Sequence, residues 1–260
     1  MKKLDKARQI VESSGHALHS KVMRVLAGKE WDVRISPYYS DIVTGKPREI
    51  DLVAEKFFPI IGGPFGRVVG AVAIQMFVEC KYIDRPTVFW THEQDESATF
   101  RLLKARTPLR STNSFSKDHH YLSSTGGRVA KLFAANPKGQ SQNEPVFLAL
   151  SQSLNATIAL RHKLQVLDTQ TPIPVKYLIA YPVIVFNSFD NVYSVRMEDE
   201  SDLKSVGENF LLEVNYAYID SRAKERSEYF LIDMAALDRF GSLLESIETD
   251  VRIIGMLASD

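Results

Sequence analysis

The sequence predicts an α/β fold in which helices cover both faces of a central β-sheet. Three observations predict it. Apolar residues recur at helical spacing near both ends of the chain, several runs between them alternate or stay continuously apolar as strands do, and neither kind of segment dominates. With 260 residues, 45% of them hydrophobic, the chain can bury a substantial core as one domain or as a domain with a small extension.

Leu4, Ala7, Ile10, Val11, Leu18, Val22, Val25 and Leu26 fall three and four apart, which predicts helix from residue 4 to about 28. Ser13-Ser14-Gly15 can divide it in two, with Ser14 capping the second part. Trp31 to Ile35 alternates as a half-buried strand, 36–46 is turn-like, and Arg48 to Ala54 reads as a second strand. A loop rich in Gly and Pro leads to a long strand from Val68 to Tyr82. Tyr121 to Ala134 and Pro145 to Leu167 both read as helices. Tyr177 to Phe186 is continuously apolar, the pattern of a strand buried on both faces, with 191–197 expected to pair beside it. After an acidic loop from Glu198 come strands at 210–219 and 229–232, then an amphipathic helix from about 234 to 255.

Thirty-two basic residues balance 32 acidic ones, so any nucleic-acid face has to be a local patch. Between 101 and 140 eight Lys or Arg residues meet one acid, Asp118. Arg101, Lys104, Arg106, Arg110, Lys117, Arg128 and Lys131 are therefore the candidates for gripping a phosphate backbone. The lone cysteine, Cys80, excludes an internal disulfide and a thiolate zinc site. The first residues contain no apolar signal-peptide core, and the most apolar stretch, 57–78, is interrupted by Pro59, Gly62-Gly63-Pro64 and Arg67. The expectation is a soluble cytoplasmic protein with no membrane partner.

Strand alternation puts Glu49 and Asp51 on one face and Glu79 and Lys81 on one face, with Ile50 and Cys80 turned the other way into the core. Charges within a buried sheet are costly unless they pair or bind metal. If the two strands are neighbours, Asp51, Glu79 and Lys81 converge. Two carboxylates suit Mg²⁺, which retains waters and takes further ligands from phosphate, and a lysine beside them can orient the attacking water.

A helix, a strand, Asp51 on a second strand, Glu79-Cys80-Lys81 on a third and then a helix resemble the core of the PD-(D/E)xK superfamily, the restriction-endonuclease-like nucleases. Gly15-His-Ala-Leu-His, Trp31-Asp-Val, Arg48-Glu-Ile-Asp-Leu-Val-Ala and Val78-Glu-Cys-Lys carry the likeness over roughly residues 10–110, and it extends to about 196. The resemblance implies a mixed central sheet and a Mg²⁺-dependent endonuclease, Mn²⁺ substituting. Asp51 and Glu79 would bind the metal and Lys81 would handle the water. DNA is the expected substrate ahead of RNA, in bacterial defence or repair. Residues 1–196 would form the core, with a basic helical insertion at about 95–140, and 197–260 an added strand-helix layer packed on the same domain.

Ile50 stands where the family's proline would be, and the loop between Asp51 and Glu79 is longer than usual. Where many members carry a first-helix glutamate this chain has His19, with Glu12 one to two turns earlier. Either of them, with Glu49, is a candidate for supporting the metal. Adjacent residues point apart, so His119-His120 is expected in an exposed loop, and Gln152 as an ordinary helix residue. The rival readings are a non-catalytic nucleic-acid-binding or assembly module and a hydrolase of another phosphodiester. A homodimer or partner protein is left open.

Overall fold

A computed structural model describes residues 3–13, 15–41, 45–62, 65–109, 117–123, 127–135, 144–165, 173–220 and 222–258. The N-terminal pair is α1 (Lys3–Ser13) and α2 (Gly15–Gly28), split where Ser13-Ser14-Gly15 predicts. Then come β1 (Asp32–Ile35), β2 (Tyr38–Ser40), β3 (Pro47–Glu49), β4 (Leu52–Gly62), β5 (Arg67–Lys81), β6 (Thr87–Glu93), α3 (Glu96–Arg106), α4 (His120–Ser123), β7 (Arg128–Ala134) and α5 (Pro145–Leu160). The chain continues through β8 (Val175–Phe186), β9 (Val192–Arg196), β10 (Asp199–Ser205), β11 (Phe210–Ile219), β12 (Glu225–Ala236) and α6 (Phe240–Ala258).

Ten strands form one mixed sheet in the order β1-β4-β5-β8-β12-β11-β7-β6-β9-β10, and β2 pairs with β3 apart from it. The two strands of the candidate site are neighbours: β4 and β5 run antiparallel, Leu52 opposite Val78. β5 and β8 run parallel, Glu79 opposite Ile184. α2, α3 and α6 bury Leu18, Leu26, Leu103, Leu244 and Ile254 on one face with Val78, Cys80 and Tyr181. α5 covers the other through Val146, Leu150 and Leu154, packed with Ile184, Phe186 and Ile232.

Several expectations are corrected, among them the acidic loop from Glu198, which is strand β10, and the Gly/Pro-rich loop after residue 54, most of which is β4. The run 48–54 is two strands, not one. Ile50 N–H donates to the Pro37 carbonyl and Ser36 N–H to the Asp51 carbonyl, so the chain steps here from the small sheet to the large one. Residues 128–134 are a strand rather than a helix, because pairing with β6 overrides the helix preference of Ala, Lys and Leu. β9 lies beside β6 and β10 instead of β8. Finally, β11 and β12 form no added layer: they sit inside the sheet, between β8 and β7. β4 itself continues through Pro59, since beyond Glu55 it has only β5 as a neighbour, an edge position that tolerates proline.

The pairing of β8 with β12 is confined to 183–186 against 233–236. Upstream the two strands part, and the sheet is forked there. No helix among the described residues is long and apolar enough to cross a membrane.

Candidate active site

Asp51 occupies the step just before β4, where the register brings it beside Glu79. The two residues are interlocked through their backbones. Cys80 N–H donates to Asp51 Oδ2 (2.8 Å), and Asp51 N–H donates to Glu79 Oε1 (3.4 Å). His19 of α2 brings Nε2 to 3.1 Å from the same Asp51 Oδ2. Lys81 Nζ lies 2.9 Å from Glu79 Oε2 and donates to Gln152 Oε1 of α5 at 3.4 Å. The Tyr39 hydroxyl in turn donates to the Gln152 carbonyl. The sheet therefore supplies the charges, and helices from both faces supply His19 and Gln152.

Exposure grades across the cluster: Glu79 is fully buried, whereas the side chains of Asp51 and Lys81 keep 14% and 21% of their surface open to a ligand. Burial pushes the Glu79 carboxyl up to about 7, with Lys81 pulling it down and Asp51 adding to the rise. Burial also opposes ionisation of Asp51, but the hydrogen bonds from His19 and Cys80 N–H and the Lys81 charge outweigh it and hold that carboxyl below its ordinary value. For Lys81 burial favours the neutral amine, and the Glu79 carboxylate overcomes it, leaving the ammonium more basic than usual. One acid is thus held ionised while its neighbour titrates near neutrality, an arrangement typical of functional sites.

The donors suit a divalent cation. Glu79 Oε2 is buried and faces the Lys81 ammonium at 2.9 Å. The donor atoms of His19, Asp51 and Cys80 lie within 4.8 Å of one another. Burial holds the Cys80 thiol well above its ordinary value, so it stays protonated; Asp51 and His19 remain as the donors of that group, and Glu79, joined to Asp51 through the Asp51 backbone N–H, is not one of the three.

Other predicted residues fall elsewhere. Ile50 packs with Val53 and Phe77, whereas Cys80 belongs to the opposite face, so the two do not point the same way as expected. Alternation fails at Ile50 because it lies outside any strand. Glu49 is on β3 opposite Tyr38, which hydrogen-bonds to it. Glu12 is in α1, its side chain outside the described residues.

Among the basic residues, Arg106, Arg128 and Lys131 form ion pairs with Glu228, Glu198 and Glu213. Arg101, Lys104 and Lys117 are exposed, and Arg110 lies outside the described residues.

His119 and His120 correct the expectation of an exposed loop: both are buried, their rings stacked with centroids 5.2 Å apart. His120 Nε2 lies 3.2 Å from Asp233 Oδ1, its Nδ1 contacts Asp250 Oδ2, and its backbone N–H donates to Asp250 Oδ1 (2.8 Å). Tyr181 and Tyr121 hydroxyls donate to Asp250 and Asp233. His119 Nδ1 accepts the Tyr121 N–H, which leaves its proton on Nε2, 3.3 Å from Asp250 Oδ2. Burial opposes charge on His120, but the two aspartates prevail and raise it to about 10; His119 is lowered by burial to about 4. The group is a buried ionic knot that ties α4 and α6 to β12. Adjacent rings converge because α4 begins at His120, so the two residues do not share one regular element.

Comparison of the chain with protein-family models, with curated proteins and with solved structures found no match.

Proposed function

We propose that the chain is a metal-dependent endonuclease of the PD-(D/E)xK, restriction-endonuclease-like kind, acting on DNA in preference to RNA. The observation that carries the reading is the interlocked trio of Asp51, just before β4, with Glu79 and Lys81 of β5, in which Glu79 is buried while Asp51 and Lys81 stay partly open to ligand. Asp51 and Glu79 would hold Mg²⁺ or Mn²⁺, and His19 would favour Mn²⁺, since imidazole suits transition ions better than Mg²⁺. Bound there, the ion supplies Lewis-acid stabilisation of phosphate charge and a more acidic water.

The chain's own side chains do the rest. Asp51, kept ionised, fixes the ligand side, and the His19 and Cys80 N–H contacts fix Asp51. Lys81 is set by Glu79 and Gln152 with its ammonium at the open edge, where it can hold a water or the charge building on a phosphate. Arg101, Lys104 and Lys117 remain exposed for backbone phosphates. A cytoplasmic setting in bacterial defence or repair belongs to the same reading.

The test is cleavage of plasmid and single-stranded DNA in Mg²⁺, Mn²⁺ or EDTA by wild type and Lys81→Ala. Cutting that needs metal and drops about 100-fold or more in the variant is expected. Equal cutting by the two proteins would sink the reading.

A pH dependence follows. Glu79 titrates near 7 in the fold, so below that value a metal must displace its proton. Calorimetric Mn²⁺ titration should show affinity rising with pH up to about 7 and levelling above it, by as much as about tenfold per unit. Glu79→Gln should flatten the profile; a wild-type profile already flat between about pH 5.5 and 8 would contradict the assignment.

A further inference from the structure

We infer that the fork between β8 and β12 holds a second ligand site, one that takes a phosphate monoester of nucleotide size. A cavity of about 500 Å³ opens where the two strands part, lined by Arg106, Arg161, Lys176, Tyr177, Leu178 and Glu228 among others. That volume falls in the range of small-ligand pockets. The site is distinct from the Asp51 cluster. Leu178 lies six residues before Ile184, the partner of Glu79, which is about 20 Å along the strand.

The charges in this cavity do not balance. Arg161 forms a two-pronged pair with Glu228, Nη2 donating to Oε2 at 2.7 Å, and Arg106 Nη2 donates to Oε1 at 2.8 Å. Two guanidiniums thus share one carboxylate, which also accepts the Tyr218 hydroxyl at 3.0 Å. Both guanidiniums lie against Phe230, 5.9 and 5.8 Å from its centroid. This packing fixes their planes, and Glu228 orients them without cancelling them. Arg161 Nε is buried with no hydrogen-bond partner. Burial and the neighbouring Arg161 charge make Arg106 easier to deprotonate than a free arginine, whereas Arg161, though opposed by burial, is held above its ordinary value by Glu228.

Lys176 of β8 is a third cation among the lining residues, and a bulge with Gly70 beside it sets where its stem lies. The β5–β8 register shifts between Ala71 and Val72, which face Val175 and Tyr177, so Lys176 is the extra residue of a bulge. Bulges re-aim side chains. Its stem lies across Gly70, where a Cβ would stand only 2.8 Å from Lys176 Cγ. Glycine is therefore needed on β5 for the lysine to lie flat. Among the described residues Lys176 forms no ion pair, and the exposed His162 stands at the same rim.

Three permanent cations against one carboxylate leave a double positive charge in a concave site, matching a phosphate dianion. Cationic side chains recognise phosphate through charge-assisted hydrogen bonds, and Leu178, Ala180 and Ala105 offer an apolar wall for the esterified group. Inorganic phosphate and a phosphate ester share the recognised chemistry, as do a free nucleotide and the terminal phosphate of a nucleic acid.

Isothermal titration of the full chain without divalent metal, with AMP, adenosine and inorganic phosphate as probes, tests this. AMP and phosphate should bind and adenosine should not. Lys176→Glu should weaken AMP at least about tenfold. Asp51→Asn should leave it as in wild type. Displacement of AMP by a 5′-phosphorylated oligonucleotide and not by its unphosphorylated form would assign the ligand to a nucleic-acid end. Failure of both to displace it would assign a free nucleotide. No AMP or phosphate binding by wild type up to about 5 mM, or AMP binding indifferent to Lys176→Glu, would overturn the site.

Discussion

Asp51→Ala is expected to lower metal-dependent DNA cleavage at least about 100-fold, to the background of the assay. Three losses coincide in that single change. The one carboxylate held firmly ionised disappears, the Cys80 N–H loses its acceptor, and His19 loses the oxygen that positions its ring. Asp51→Asn separates these effects, since its amide oxygen can still accept the Cys80 N–H while the charge is gone. Both variants should be inactive, with the asparagine form melting closer to wild type. Plasmid nicking measured beside thermal melts checks this; an active, normally folded Asp51→Asn would remove Asp51 from the chemistry.

The second large effect concerns stability. His120→Ala should cost about 3–5 kcal/mol, because it strips the counter-charge from two buried aspartates, Asp233 and Asp250. For a chain of this length that is a fall in Tm on the order of 10 °C. The pH dependence distinguishes this loss from simple loss of packing. His120 has a folded pKa of about 10 against an ordinary 6.5, so its contribution is complete below about 6.5 and is lost as pH rises through about 10. His119 behaves oppositely: lowered to about 4, it favours the fold while neutral, and that contribution is lost as pH falls from 6.5 toward 4. Wild type should therefore lose stability between about pH 7 and 10, and His120→Ala should lack most of that decline. Melts of the variant that track wild type across this range would refute the knot.

The candidate site was legible because its information is local. Glu79 and Lys81 sit on a strand whose apolar neighbours announce it, Asp51 sits directly before another, and the segment between them folds back as an antiparallel pair. The continuous apolar run at 177–186 likewise announced a strand covered on both faces, and β8 is one. What escaped depends on distant partners. Asp250 and Asp233 lie 130 and 113 residues from His120, so nothing near the histidines signals burial. The basic run at 101–140 is a true local excess, yet Arg106, Arg128 and Lys131 are met by acids from beyond residue 197, and charge counted along a chain does not show that. Residues 128–134 form a short run whose period cannot separate helix from strand without knowledge of β6.

The position of β12 has a consequence for how the protein is made. On a ribosome, β1, β4, β5, β6, β7 and β8 all emerge before β12, and β8 then presents an unpaired parallel edge until Glu225–Ala236 has been synthesised. The last strands to emerge join the two halves of the sheet, and α6 then supplies the Asp250 that closes the buried knot. Assembly is therefore a late event governed by long-range pairing, slower than one built from local contacts. A nascent chain stalled near residue 196 would expose an apolar strand edge to its neighbours, making that stage the one most in need of a chaperone.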